Sequence, residues 1–273
     1  MAKAHVNGIS LHFEITGQGF PLVLSHEFAG NSQSWEPQVK FFARRYQVIT
    51  YDARGYPPSD VPEDPSAYSQ ESAVEDLYQL LLHLGIETAH VGGLSMGGGV
   101  ALSFAIAHST MVRALVVAGT GAGTTDRHQF EAQIGQVIRE LEEEGIQAVA
   151  GSYAHGPTRL QFLRKDPLGW QQFRDQLASH SALGSALTLR GVQLRRPTIY
   201  ALKEDLLRLA VPTLIIVGDE DEPCIDPSLF MKRNIPGSAL VVLPRTGHTV
   251  NLEEPDMFNR AVLDFLTLVD AGR

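Results

Sequence analysis

Short apolar runs alternate with amphipathic stretches in the first and last thirds of the chain. Near-continuous apolar runs are typical of strands that a sheet buries on both faces. They occur at 21–26, 46–51, 89–91, 112–118, 212–217 and 239–243. Residues 5–16 alternate apolar and polar positions around Asn7-Gly8, which predicts a β-hairpin with a tight turn.

Helical spacing follows most of these runs. Leu77, Leu80, Leu81 and Leu84 share one face of a predicted helix over 69–84. Further helices are predicted at 31–45, 100–107, 227–234 and 255–268. Strands that alternate with helices predict an α/β fold, with a mostly parallel central sheet and helices on both faces.

The pattern changes in the middle of the chain. Residues 122–205 show no strand-like run, and helices are predicted there at 126–144, 146–153, 169–179 and 183–189. An insertion after the strand at 112–118 lies on the sheet edge where active sites form. We therefore expect a core from 1–121 and 206–273, with a mobile helical lid at 122–205 that selects the substrate.

A glycine cluster joins the strand at 89–91 to the following helix. It contains Gly93-x-Ser95-x-Gly97, the sharp strand-to-helix turn that exposes a serine above a sheet. A serine at a helix N-terminus also lies near backbone N–H groups, which suit a developing oxyanion. This pattern favours Ser95 as a nucleophile, with the N–H of Met96 as one oxyanion donor.

Acidic residues and a histidine follow the last two strands. Asp219, Glu220, Asp221 and Glu222 come after the run at 212–217, and His248 comes after the run at 239–243. The order serine, acid, histidine is typical of a catalytic triad in which the acid orients the histidine. Because like charges cannot all be buried, several of the four acids must be surface groups, and spacing leaves the choice open.

Composition narrows the functions. The 273 residues carry a net charge of −9, which argues against nucleic-acid or anionic-membrane partners. Cys224 is the one cysteine in the sequence, so no intrachain disulfide is predicted. No signal peptide or membrane-spanning run is recognisable, so we expect a cytoplasmic monomer or homodimer acting on a small molecule. No metal cluster or phosphate loop is evident, and no cofactor is predicted.

These motifs together resemble the α/β-hydrolase superfamily, over essentially the whole chain. The matching stretches are His26-x-Phe28, Asp52-x-Arg54-Gly55, Gly93-Leu94-Ser95-Met96-Gly97, Gly218-x-x-Asp221 and Gly247-His248. The resemblance implies that Asp221 is the acid, with Asp219 as the alternative. It also implies that the N–H of Phe28 is the second oxyanion donor and that the Asp52–Gly55 loop is structural.

One position departs from the family. Glu27 stands where a glycine is usual, between His26 and Phe28. We expect Glu27 to be a surface charge, or else to pair with Arg54 or His26, and we expect His26 to be a buried histidine bonded to nearby backbone. Candidate substrate contacts are Glu27 and three residues of the predicted lid, Tyr153, His155 and Trp170.

The leading hypothesis is a serine hydrolase that cleaves a small ester, lactone or thioester through an acyl-enzyme on Ser95. An alternative is hydrolysis of a carbon–carbon bond in a vinylogous diketone by the same triad. A third hypothesis, from a different class, is a non-catalytic ligand-binding module on this fold. A serine at the nucleophile position disfavours the branches of the superfamily that use an aspartate there.

Overall fold

A computed structural model describes residues 2–272. Its centre is one eight-stranded sheet with the order β1-β2-β4-β3-β5-β6-β7-β8. β2 is antiparallel to both of its neighbours, whereas β3 to β8 all run parallel. The strands are β1 Ala2–Val6, β2 Ile9–Thr16, β3 Phe20–Ser25, β4 Tyr46–Tyr51, β5 Ala89–Leu94, β6 Val112–Ala118, β7 Thr213–Gly218 and β8 Ala239–Leu243.

Twelve α-helices accompany the strands within residues 2–272. They are α1 Glu36–Phe42, α2 Gln70–His83, α3 Met96–Ala107, α4 Arg127–Glu143, α5 Ile146–Ala154, α6 Leu160–Lys165, α7 Pro167–Ala178, α8 Ala182–Thr188, α9 Lys203–Arg208, α10 Glu222–Asn234, α11 Val250–Glu253 and α12 Pro255–Asp270. The predicted α/β class and the mostly parallel sheet are confirmed.

Most sequence-based boundaries agree to within three residues, but the starts of α1, α3 and α10 differ from the predicted ones by four or five residues. α10 begins at Glu222, five residues before the predicted start at 227, and it contains Pro227. Proline lacks the N–H that a helix interior uses, yet Pro227 lies inside this helix rather than at its start. Pro223 in the first turn, where the N–H has no intrahelical partner anyway, marks the true beginning.

The apolar core has a layer on each face of the sheet. One layer packs α2 and α3 on the strands through residues such as Leu77, Leu80 and Phe104. The other packs α1 and α12 through Trp35 and Phe258. Because both faces are covered, the central strands carry the continuous apolar runs seen in the sequence.

Between β6 and β7 the described chain forms the six helices α4 to α9 and no strand. The four helices predicted in this helical segment, residues 122–205, are present, whereas the short helices α6 and α9 were not predicted. A third apolar cluster joins the segment to the core through Phe28, Tyr56 and Met96. The outer limits expected for the core, residues 1 and 273, lie outside the described residues. No helix in the described part of the chain is long and apolar enough to cross a membrane.

Candidate active site

Ser95 occupies the turn between β5 and α3. Its backbone has φ 55° and ψ −109°, a left-handed conformation that is strained for a residue with a side chain. The N–H of Ser95 donates to the carbonyl of Ala118, 2.8 Å away on β6. A Cβ on Gly93 would overlap the backbone of Gly97, and one on Gly97 would overlap the carbonyl of Ser25. The glycines therefore permit the close approach that the motif predicts.

His248 and Asp221 form a buried hydrogen bond. The Nδ1 atom of His248 lies 2.7 Å from Oδ2 of Asp221, whose exposed fraction is 1%. With Nδ1 engaged, Nε2 of His248 is left to face a substrate or a serine. Asp219 is exposed, and its Oδ1 accepts the N–H of Thr246 at 3.1 Å. Of the two aspartates that the sequence left open, Asp221 is therefore the one bonded to the histidine.

The thiol of Cys224 lies beside this pair, 4.0 Å from Nδ1 of His248, and donates to the carbonyl of Gly119 at 3.4 Å. Burial raises the pKa of Cys224 well above its usual value, which keeps the thiol neutral. Asp221, Cys224 and His248 have ligand-type atoms within 4.8 Å of one another. Oδ2 of Asp221 and Nδ1 of His248 already bond to each other, and the thiol bonds to a backbone carbonyl, so we assign none of these three atoms to a metal.

The two predicted oxyanion donors are the N–H of Met96, which follows Ser95 in the chain, and the N–H of Phe28, a residue that lines the same cavity as Ser95. Met96 is the first residue of α3, and first-turn amides have no acceptor within their own helix. Phe28 follows β3 in a turn, and no acceptor among residues 2–272 takes its N–H. The side chain of Phe28 is buried and meets the ring of Tyr153 edge-on, with centroids 5.6 Å apart.

Glu27 corrects two expectations. It is 2% exposed, so it is no surface charge, and its carboxylate forms a two-pronged ion pair with Arg159 of the helical segment. Arg54 instead pairs with Asp76. Burial by itself would raise the pKa of Glu27, but the Arg159 guanidinium outweighs it, and the pKa lies below its usual value.

His26 is the buried structural histidine that the sequence predicts. Its Nδ1 lies 2.7 Å from the carbonyl of Glu27, and its Nε2 accepts the N–H of Ala53 at 3.0 Å. Burial lowers the pKa of His26 despite the charge of Asp52. A neutral imidazole that donates from Nδ1 satisfies both bonds.

A cavity of about 470 Å³ opens above the strand ends. Ser95, Asp221 and His248 line it, together with Phe28. Helical-segment residues form the opposite wall: Phe130, Gln133, Ile134, Gln136, Val137, Glu140, Ser152, Tyr153, Gly156, Pro157, Thr158, Arg159, Leu189, Gln193 and Arg196. The cavity thus brings together, from three separate stretches, the serine, acid and histidine that the sequence predicts.

The four candidate substrate contacts, all within the described chain, have different positions. Tyr153 lines the cavity, whereas Glu27 is held behind it by Arg159. His155 is exposed, and its ring packs on Trp170 with centroids 4.7 Å apart. Trp170 is buried and donates its indole N–H to the carbonyl of Ala154 at 2.8 Å. Packing within the segment therefore accounts for His155 and Trp170.

Sequence reasoning missed Arg159 and Arg196, the two arginines of the cavity wall. Arg196 is half-buried, and the one hydrogen bond of its side chain among residues 2–272 runs to the carbonyl of Ala122 at 3.3 Å. Burial lowers the pKa of Arg196 to about 10. Neither arginine belongs to a motif with fixed spacing. The one signal in the sequence was Glu27 at a position where glycine is usual, because a buried carboxylate there needs a cation as a partner.

Comparison with known proteins shows the family of the chain. The sequence profile of the α/β hydrolase fold family matches residues 21–255, so the chain belongs to that family. It is similar to 3-oxoadipate enol-lactonase 2 of Acinetobacter baylyi, at 29% identity over 93% of this chain and 92% of that protein.

Solved structures of the same fold are similar over nearly the whole chain. A thermophilic esterase from Thermogutta terrifontis superposes with a TM-score of 0.87, at 29% identity over 98% of both chains. The enol-lactonase from Burkholderia xenovorans superposes with a TM-score of 0.86, at 26% identity over 97% of this chain and 100% of that one. With the family shown and relatives named as hydrolases, the protein is a hydrolase.

Proposed function

We propose that the protein is a serine hydrolase that cleaves a small ester, lactone or thioester through an acyl-enzyme on Ser95. One observation carries the proposal. A strained serine at a helix N-terminus shares a cavity with a histidine whose Nδ1 is bonded to a buried aspartate. Such a set of groups supplies a nucleophile, a base and an orienting acid.

The proposed reaction has two halves. Ser95 Oγ attacks the substrate carbonyl while Nε2 of His248 takes its proton, and the same proton passes to the leaving alkoxide or thiolate as the bond to the carbonyl carbon breaks. Water, deprotonated by His248, then attacks the carbonyl carbon of the acyl-enzyme, and His248 returns that proton to Ser95 Oγ as the bond from Oγ to the carbonyl carbon breaks and the acid is released. The N–H groups of Met96 and Phe28 hold the oxyanion in both halves.

The charge of the cavity wall narrows the substrates to test. Arg196 has no carboxylate partner among the described residues, and with a pKa of about 10 it is protonated at neutral pH. A cation without a counter-charge at a half-buried wall favours a ligand that brings an anionic group. The relatives named enol-lactonases make a lactone with a free carboxylate a sensible member of the panel.

Labelling and turnover test this function together. We expect a fluorophosphonate to attach to one serine, Ser95, and chromogenic short-chain esters to be hydrolysed in proportion to the unlabelled fraction. Mass spectrometry of the labelled peptide identifies the residue. A panel of neutral esters, carboxylate-bearing esters, lactones, thioesters and a vinylogous diketone then ranks the substrates by kcat/KM. Label on any other residue contradicts the proposal, and a diketone preference favours carbon–carbon hydrolysis.

The helical segment is proposed to act as the lid that selects the substrate, and Tyr153 is its clearest cavity contact. We expect Tyr153→Ala to change the ratio of kcat/KM for a short and a long acyl ester by about tenfold, because one aromatic wall is lost. Trp170→Ala should leave that ratio near its parental value and lower the melting temperature, because Trp170 packs inside the segment.

Measurement of both ratios alongside fluorophosphonate labelling rates separates recognition from reactivity. If Tyr153→Ala leaves the ratio unchanged while Trp170→Ala alters it, the assignment of Tyr153 to the wall that contacts the acyl chain is wrong. A uniform loss in both variants would make the segment a folding element rather than a selector.

A further inference from the structure

A buried arginine joins the helical segment to two loops of the core. Both guanidinium ends of Arg159 donate to the carboxylate of Glu27, which lies in the loop after β3. The same Nη1 atom donates to Oγ1 of Thr249 at 2.6 Å, in the loop that follows β8. Arg159 and Thr249 are 2% and 0% exposed. One side chain thus connects three stretches that are far apart in sequence.

Each contact lies one residue from a proposed catalytic group. Glu27 precedes Phe28, the proposed oxyanion donor, and Thr249 follows His248, the proposed base. The backbone repeats the link, since the N–H of His248 donates to the carbonyl of Thr158, next to Arg159, at 2.9 Å. The rings of Tyr153 and Phe173 flank the guanidinium at 5.3 and 5.0 Å from their centroids, which limits its movement.

From this geometry we infer that Arg159 is a positioning residue for the reaction, a role that rests on the proposed serine hydrolase function. It holds the Phe28 loop and the His248 loop at a fixed separation. It also cancels the charge of Glu27, a carboxylate that would otherwise oppose the negative oxygen formed beside Phe28. Position 27, where a glycine is usual, therefore carries a carboxylate that forms an ion pair with Arg159 of the helical segment.

The charges of Glu27 and Arg159 allow the positioning role to be tested by the pH dependence of kcat/KM, which a purely structural role would leave unchanged. The Arg159 guanidinium, and to a smaller extent the charge of a protonated His248, hold the pKa of Glu27 below its usual value despite its burial, so Glu27, Arg159 and His248 are linked by charge. Removal of one member therefore moves the acid limb of kcat/KM, and removal of both restores it. The other titratable and charged groups around His248 are Asp221, Cys224, Glu253, Tyr153 and Arg196. No variant used in the test changes any of these groups.

Four variants test the inference on the full-length protein. Glu27→Gln breaks the two-pronged ion pair that holds the two loops, so we expect kcat to fall about tenfold or more. Because the variant also leaves the Arg159 charge uncompensated, the acid limb should move down by about half a pH unit. Arg159→Lys keeps the positive charge but cannot donate two hydrogen bonds side by side to the Glu27 carboxylate. We therefore expect a similar fall in kcat, with the acid limb of the pH profile unchanged. The double variant Glu27→Gln, Arg159→Met restores the limb but not kcat. Thr249→Val removes one bond and should lower kcat a few-fold.

Lys165→Met is the matched control. Lys165 also joins the helical segment to the core, through Glu254 at 2.6 Å and Thr246 at 3.0 Å, but away from the Phe28 loop. We expect its kcat to stay within about twofold of the parental value and its acid limb to stay in place. Active-site titration with the fluorophosphonate gives the concentration of reactive enzyme, by which every measured rate is divided. If the Arg159 variants fold poorly, Thr249→Val, the mildest of the changes, still tests the inference.

The outcomes separate this inference from the proposed function. If fluorophosphonate fails to label Ser95 in the parental enzyme, the proposed function is wrong and the role of Arg159 falls with it. If Ser95 is labelled but Glu27→Gln, Arg159→Lys and Thr249→Val keep the parental kcat and acid limb, Arg159 is merely structural. Equal losses in Lys165→Met and Arg159→Lys would likewise overturn the inference.

Discussion

Ser95→Ala is expected to lower kcat/KM for ester hydrolysis by about 10³-fold or more and to abolish fluorophosphonate labelling. The substitution removes one hydroxyl from a half-buried turn and leaves the turn's glycines in place, so the fold should be retained. The residual rate comes from substrate binding and the oxyanion donors. Steady-state kinetics and circular dichroism of purified protein check both parts.

Ser103→Ala is a suitable control because it removes a hydroxyl from the same helix. Ser103 accepts a hydrogen bond from Gln70 at 3.1 Å and does not belong to the wall shared by Ser95 and His248 in the described structure. Its kcat/KM should stay within about threefold of the parental value. Near-parental turnover in Ser95→Ala would show that another group carries the reaction.

Asp221→Asn is expected to lower kcat by about 10²- to 10⁴-fold, the second largest effect we foresee. In the proposed mechanism the carboxylate bonded to Nδ1 of His248 accepts its proton and stabilises the imidazolium that forms when Ser95 gives up its proton. An amide at this position loses the charge and favours the wrong tautomer of the imidazole. KM should change much less, because Asp221 acts through His248 rather than on the substrate.

Asp219→Asn makes the same chemical change two residues away. Asp219 is exposed, and an asparagine can still accept the N–H of Thr246 through Oδ1. We expect less than about a threefold change in kcat. Measured side by side at several pH values, the two variants decide which aspartate is the acid, and a larger loss for Asp219→Asn would reverse the assignment.

Much of the fold was accessible from local patterns. The Asn7-Gly8 turn, the buried strands and the helix over α2 follow from alternation, apolar runs and capping, which depend on near neighbours in sequence. The turn at Ser95 was equally readable, because its glycines are required by contacts among residues 93, 97 and 98. The predicted start of α10 was wrong because Pro223 and Pro227 are both candidates for the first turn of a helix.

The acid could not be chosen from spacing because four acidic residues stand together. Burial decides between them: Asp221 turns inward beneath His248, while Asp219, Glu220 and Glu222 are exposed. The resemblance to a family indicated Asp221, but the hydrogen bond to His248 depends on how the loops after β7 and β8 pack together. That packing involves strands separated by an intervening helix.

By itself, the sequence determined the parallel sheet, the serine turn at the end of β5 and the order in which serine, acids and histidine follow their strands. These features depend on period, glycine placement and local sterics. Tertiary structure alone decided the partner of Glu27, which the sequence assigned to solvent, Arg54 or His26. Arg159 lies 132 positions away in the helical segment. A buried charge needs an opposite charge nearby, and tertiary packing determines which residue supplies it. No local sequence pattern predicts that partner.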